Sequence, residues 1–225
     1  MPIFFQQQIN PTTRLGIWKI EETEGFFLSN VPLQREVTHP HKRLQHLAGR
    51  FLLQFLFPGF PYALIRIADT RKPYLPDEEY HFSISHCGDY AAAIVSSDQR
   101  VGIDIEIPSA RVERIKDKFL NQAEMFKFDP DSYRDRSQPP LGPIPIVIGT
   151  ENLNSDLLTT LWSAKEAVFK WYGNGNVDFR GHIQLQNANK RDETIECFFA
   201  KTNQHLVIHH HQFDNLVLAW IMSKV

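Results

Sequence analysis

Cysteine is scarce in this sequence: Cys87 and Cys197 are the only two among 225 residues. That excludes a disulfide-stapled fold and makes a reducing compartment the default expectation. Neither has a C-x-x-C partner, so neither is a candidate metal ligand. No run of 18 apolar residues occurs, so no membrane span is expected. Met1-Pro-Ile-Phe-Phe lacks a basic stretch ahead of a long apolar core, so no signal peptide is expected and a cytoplasmic protein follows. A large excess of either charge is also missing. The 24 Lys and Arg against 26 Asp and Glu leave a net charge of -2, which argues against nucleic-acid or membrane-surface binding. No glycine-rich loop opens a helix either. Gly173-Asn-Gly-Asn176 follows one, and reads as a cap and turn instead of a phosphate cradle. His209-His210-His211 does not predict a zinc site, because adjacent residues of a strand face opposite ways.

What is present is a globular pattern. Apolar residues make up 42% of the chain, enough for a sizeable core in one large domain or two small ones. Residues 14–19 and 25–29 read as short strands. A helix is predicted from about His39 to Phe57, with Leu44, Leu47, Ala48, Phe51, Leu52, Phe55 and Leu56 forming one stripe and Pro58-Gly59 stopping it. Arg43 and Arg50 share a side of it, within a basic stretch from Arg35 to Arg50. Two strands are predicted around Cys87-Gly88-Asp89, and Ser97–Arg100 turns into the next. Residues 111–128 read as a helix. A Pro-rich irregular segment follows at about 129–155. A second long helix spans about Ser155–Tyr172, with Ser155 or Asp156 as N-cap and Gly173 beyond its end. Strands are predicted at His182–Gln186, Glu193–Ala200, Leu206–His210 and Leu216–Ser223. A weak internal repeat pairs Ala48–Leu53 with Ala164–Phe169, making Arg50 and Glu166 equivalent.

Two segments carry chemistry. In Val101–Ile107, apolar residues alternate with Gly102, Asp104 and Glu106, so both carboxylates share one strand face. Residues two apart in a strand lie roughly 7 Å apart, a spacing that suits two oxygen ligands on one hard divalent cation. Gly102 is expected to leave room there for a ligand. In the second long helix, Glu166 and Lys170 are four apart and share a face. Alone, a D-x-E is an ordinary wet strand face, and a Glu–Lys pair is a surface ion pair worth about 0.3–0.5 kcal/mol. Three carboxylates converging, however, need a cation to offset their repulsion.

These residues resemble a known signature. Asp104, Glu106, Trp162, Ser163, Lys165, Glu166, Ala167 and Lys170 fit the 4′-phosphopantetheinyl transferase pattern G-[IV]-D-[IV]-E followed by W-[SA]-x-K-E-[SA]-x-x-K. Arg71-Lys-Pro-Tyr74 and Phe82-Ser-Ile-Ser-His86 are similar to further blocks of the surfactin-synthetase-activating branch. The blocks fall in family order over residues from about 43 to 173.

The resemblance implies an α+β fold: a pseudo-dimer of two similar subdomains, each an antiparallel sheet packed with a long helix, with the active site between them. The expected subdomains are 1–105 and 106–225, in a monomer. It implies transfer of 4′-phosphopantetheine from coenzyme A to a serine of an apo acyl or peptidyl carrier protein, with release of adenosine 3′,5′-bisphosphate. Asp104, Glu106 and Glu166 are then the Mg²⁺ ligands. Glu166 is the general base, and Lys170 neutralises the pyrophosphate. Arg43, Arg50, Lys72, Ser85, His86 and Lys165 are the candidates for binding the coenzyme. The Pro-rich segment is longer than the family pattern, and it is expected to shape the choice of carrier. Two rivals use the same residues: a Mg²⁺-dependent phosphohydrolase acting on a nucleotide pyrophosphate, and a module that binds without turnover.

Overall fold

The computed structural model describes residues 3–33, 36–128, 155–189 and 191–224. The Pro-rich segment at 129–154 and Arg35 lie outside the described residues. In chain order the elements are β1 (Ile3–Asn10), β2 (Thr13–Lys19), α1 (Glu24–Leu28), α2 (Pro40–Leu56), β3 (Arg66–Ile67), β4 (Pro73–Tyr74), β5 (His81–Cys87), β6 (Tyr90–Ser96) and β7 (Gln99–Glu106). They continue with α3 (Ala110–Phe119), α4 (Gln122–Phe128), α5 (Ser155–Tyr172), β8 (Ile183–Asn189), β9 (Thr194–Phe199), β10 (Gln204–Phe213) and β11 (Leu216–Lys224).

The strands build two antiparallel sheets, ordered β1-β2-β6-β5 and β7-β11-β10-β9-β8, and a short β3-β4 ribbon. Period-two alternation gives each sheet two apolar faces. On the first sheet Trp18, Ala91, Ala93 and Val95 meet Leu47, Ala48, Leu52, Leu53 and Leu56 of α2. On the second, Ile195, Cys197, Ile208, Ala219 and Ile221 meet Leu158, Leu161, Ala164, Val168 and Trp171 of α5. The remaining faces pack on each other: Leu15, Ile17, Ala92 and Ile94 against Val101, Ile103, Ile105, Leu216, Leu218 and Trp220. The layers are therefore helix, sheet, sheet, helix, an α+β architecture in which each sheet carries one long helix. Among the described residues, no helix is long and apolar enough to cross a membrane.

Both long helices fall where the sequence reading places them, α2 by its apolar stripe and α5 by its bounds at Ser155 and Gly173. His39 caps α2, its ring nitrogen accepting from the Lys42 amide, and Pro40 fits the first turn. At the far end of α5, Gly173 takes a positive φ of 73° and its amide bonds to Phe169 O, the left-handed exit that favours glycine. Two expectations change. Residues 25–29 are not a strand: Glu24–Leu28 is a helical turn that buries Phe27. A five-residue apolar run carries no period to decide between the two. Residues 111–128 form two helices instead of one. Leu120 leaves the helical region, and Asn121 then opens α4 with a reciprocal cap. Its amide donates to Glu124 Oε2 at 2.8 Å, and the Glu124 amide donates to Asn121 Oδ1 at 2.9 Å.

The sheets meet along their edge strands β5 and β7, joined by side chains in place of a ladder. The Ile103 amide donates to Ser83 Oγ (3.2 Å) and the Ile107 amide to Cys87 Sγ (3.3 Å). Ser83, Ser85 and Cys87 alternate along β5, so all three point into this seam.

Candidate active site

The site begins with how closely α5 lies on β7. A Cβ at Gly102 would fall 2.1 Å from Ala167 O and 2.7 Å from Trp171 N. The room at Gly102 is therefore taken by the helix backbone. This corrects the expectation that it leaves space for a ligand: the absent side chain is what lets helix and strand touch. Ser163, Glu166 and Lys170, at spacings of three and four on one face of α5, are thereby set against the carboxylate face of β7.

Asp104 is 2% exposed and hydrogen-bonded through both oxygens. Its Oδ1 accepts from Lys170 Nζ at 2.6 Å and from Ser85 Oγ at 2.8 Å, and its Oδ2 accepts from Ser163 Oγ at 2.8 Å. Lys170 Nζ also donates to Ser85 Oγ at 2.8 Å. A buried carboxylate is tolerable only with such pairing. Glu106, the next residue on this face, accepts from Trp162 Nε1 (3.3 Å) and Cys87 Sγ (3.4 Å). Burial and then the Asp104 charge raise its proton affinity. Burial pushes the Cys87 thiol up to about 11, with Glu106 adding to it, so it stays protonated and can donate. Glu166 has no hydrogen-bond partner among the described residues. Burial, then Asp104, push its carboxyl up to about 7; Lys170 pulls it down and Glu106 adds a further rise.

Among the described residues, no three His, Cys, Asp or Glu side chains are closed into a metal shell. The donor chemistry of Asp104, Glu106 and Glu166 nevertheless suits a hard divalent cation. All the donors are carboxylate oxygens; burial first and the Asp104 charge second raise the affinity of Glu106 and Glu166 for protons, and a bound cation would relieve that charge repulsion.

Lys170 lines a cleft of about 220 Å³ together with Lys72, Pro73, Phe82, Ser83, Ile84 and Phe169. Lys72 and Lys170 therefore share one opening beside the seam. Lys72 Nζ donates to Trp171 O at 3.3 Å, and Thr70 Oγ1 donates to Gly173 O at 2.8 Å, so this loop straps the end of α5. Burial and then the Arg100 charge lower the Lys72 pKa to about 8. Ser85 is in the centre of the site, and His86 is exposed at the end of β5.

The other expected residues lie elsewhere. Lys165 has no exposed surface. Its three N–H groups go to Glu124 Oε2 (2.8 Å), Phe179 O (2.8 Å) and Ile183 O (2.7 Å). No donor is left for a phosphate, so the structure corrects Lys165 from a coenzyme contact to a buried tie between α5, α4 and β8. Arg43 donates to Glu24 Oε2 at 2.8 Å and Val37 O at 3.2 Å. Arg50 is buried along α2, with Nη1 3.1 Å from His46 Nδ1. Neither arginine lines the Lys170 cleft.

Two contributors have no assigned role in the sequence reading, Ser163 on Asp104 and Cys87 on Glu106, and Trp162, a residue of the motif, holds Glu106 as well. Their signals were present. Ser163 lies seven before Lys170, on the same helix stripe, and Cys87 continues the Ser83–Ser85 alternation.

A model of the 4′-phosphopantetheinyl transferase superfamily matches residues 100–221, more than half of the chain. The chain belongs to this superfamily. The match runs from the start of β7 into β11 and so takes in the carboxylate strand and all of α5. The chain is also similar to enterobactin synthase component D of Escherichia coli (strain K12), 40% identical over 86 residues, which are 37% of this chain and 41% of that protein. The protein of the same name in Shigella flexneri is 38% identical over 86 residues, again 37% and 41% of the two chains. That of Salmonella austin is 40% identical over 65 residues, 29% of this chain and 27% of that protein. The chain therefore spans less than half the length of each of these relatives. Within the superfamily match, Asp104, Glu106, Ser163, Glu166 and Lys170 are the residues that geometry places on the face between β7 and α5.

Proposed function

We propose that this protein transfers the 4′-phosphopantetheine group of coenzyme A to a serine of an apo carrier protein and releases adenosine 3′,5′-bisphosphate. The observation that carries this reading is the Asp104–Lys170–Ser85–Ser163 network, with Glu106 and Glu166 beside it and the Lys72–Lys170 cleft opening next to it.

The reaction is attack of an alcohol on a phosphorus of a pyrophosphate, so it needs positioning, charge neutralisation and one proton acceptor. In this reading the carrier serine oxygen forms a bond to the β-phosphorus of coenzyme A. The bond from that phosphorus to the bridging oxygen breaks, and the electron pair leaves with the adenosine bisphosphate. Glu166, which makes no hydrogen bond among the described residues, takes the serine proton. Lys170, held by Asp104 and Ser85, presents its charge to the pyrophosphate, and Lys72 supplies a second cation along the same cleft. Asp104, Glu106 and Glu166 would hold Mg²⁺, which supplies charge neutralisation at the phosphate oxygens when bound. Ser163, Cys87 and Trp162 fix the orientation of Asp104 and Glu106. The two sheet-and-helix units are read as the halves of a pseudo-dimer with the site on their seam.

The relatives are named as a component of enterobactin synthase, so a peptidyl carrier is the first acceptor to try. The test follows coenzyme A with and without that carrier in the presence of Mg²⁺. Consumption that requires the carrier and yields adenosine 3′,5′-bisphosphate supports the proposal. Consumption at the same rate without any carrier would identify a hydrolase instead.

A further inference from the structure

A second cleft, of about 230 Å³, shares Lys72, Pro73, Phe82 and Gly173 with the Lys170 cleft but includes neither Lys170 nor any of the three carboxylates. It is walled by Tyr74 of β4, Tyr80 just before β5, His81 at its start, Arg100 of β7, Tyr172 at the end of α5 and Asn174 beyond it. Three basic groups therefore reach one opening, from β5, β7 and the loop before β4.

Two of these cations have no acidic partner among the described residues. Among the described residues, Lys72 donates only to Trp171 O, and Arg100 makes only a cation–ring contact, 5.9 Å from the Trp171 centroid. Burial lowers the pKa of Lys72, and Arg100 lowers it further. His81 is likewise lowered by burial, with Glu78 and Asp98 opposing this and Arg100 and Lys72 adding to it. Among the described residues, Glu78 is the one carboxylate lining the cleft. Like charges gathered this way are held at a disadvantage that a bound anion removes.

We propose that the Lys72–Arg100–His81 cleft is a second anion site, which takes a phosphate group as the free ion or as a small monoester. Arg100 and Lys72 contribute charge, His81 adds a donor when protonated, and Asn174 and the tyrosine hydroxyls complete the polar wall. The inference does not depend on the transferase reading, because none of the proposed reacting groups except the shared wall residue Lys72 takes part.

The test titrates the His81 imidazole by NMR in the full chain, with its resonance assigned from its loss in His81→Gln. Inorganic phosphate is compared with chloride at matched ionic strength. The expected result is a rise of the His81 midpoint by about half a pH unit or more in phosphate. Arg100→Gln should abolish most of that rise, and Arg100→Lys should retain it, since a charge at this position is what matters. An unchanged midpoint in phosphate, or an equal rise in wild type and Arg100→Gln, would overturn the proposal.

Discussion

Replacing Gly102 by alanine tests how the site is assembled. The added methyl carbon would sit 2.1 Å from Ala167 O and 2.7 Å from Trp171 N, where real contacts essentially never fall below 3.0 Å. Both obstacles are helix backbone, so no rotamer change relieves them, and α5 has to retreat from β7 by about 1 Å. That displacement stretches the 2.8 Å Ser163–Asp104 bond and the 2.6 Å Lys170–Asp104 bond toward the limit of useful hydrogen bonding. Overpacking against a rigid neighbour, together with a weakened buried pair, should reduce stability by about 2–4 kcal/mol. Misplacing Lys170 and Glu166 by about 1 Å should also slow turnover by up to about a hundredfold. Urea denaturation followed by far-ultraviolet circular dichroism reads the first effect, and the carrier-modification rate of the folded fraction reads the second. A variant within about 0.5 kcal/mol of wild type would show that Gly102 does face free space, and that the close helix–strand contact does not hold the site.

Three further outcomes follow from the same geometry. Lys165→Met leaves Glu124 buried without its cation, so unfolding should become easier by about 3–5 kcal/mol; normal stability with weakened coenzyme A binding would return Lys165 to the phosphate site. Glu166→Gln keeps the size of the side chain and removes its charge, so it should lose most transfer activity while its thermal melt stays near wild type, and near-normal turnover would remove Glu166 from the proposed chemistry. Lys72 has a folded pKa of about 8 against an ordinary 10.5, so between those values the unfolded chain binds more protons and stability rises with pH. Lys72→Met should flatten that rise in melts taken across this window, and parallel wild-type and variant curves would contradict the burial argument.

The parts of the fold legible in the sequence were those with a long period or a motif. The α2 stripe covers several turns, the motif residues and Gly173 mark α5, and Val101–Ile107 alternates without a break. The structure places all of them where the pattern does. What stayed hidden depended on partners distant in sequence or on very short signals. β1 carries Gln6-Gln7-Gln8 on a mostly exposed sheet edge, so little burial marks it as a strand. The break at Leu120 is set by the Asn121–Glu124 cap, whose second member also accepts from the Leu185 amide at 2.7 Å. Asp104 and Glu106 were visible as one face of a strand. That this face is covered by α5 was not, because the glycine that permits contact reads equally well as empty space. Lys165 is the sharpest case. It lies one position from Glu166 in the motif, but the helix turns about 100° per residue and carries it into the core beside Glu124.

The measurement that tests the central claim most directly is the intact mass of an apo carrier protein after incubation with this protein, coenzyme A and Mg²⁺, beside an EDTA control. The account predicts a gain of one phosphopantetheinyl arm per carrier, lost when the carrier serine is replaced by alanine and lost with EDTA. A carrier mass that stays unchanged with Mg²⁺ present, across acyl and peptidyl carriers alike, would contradict it.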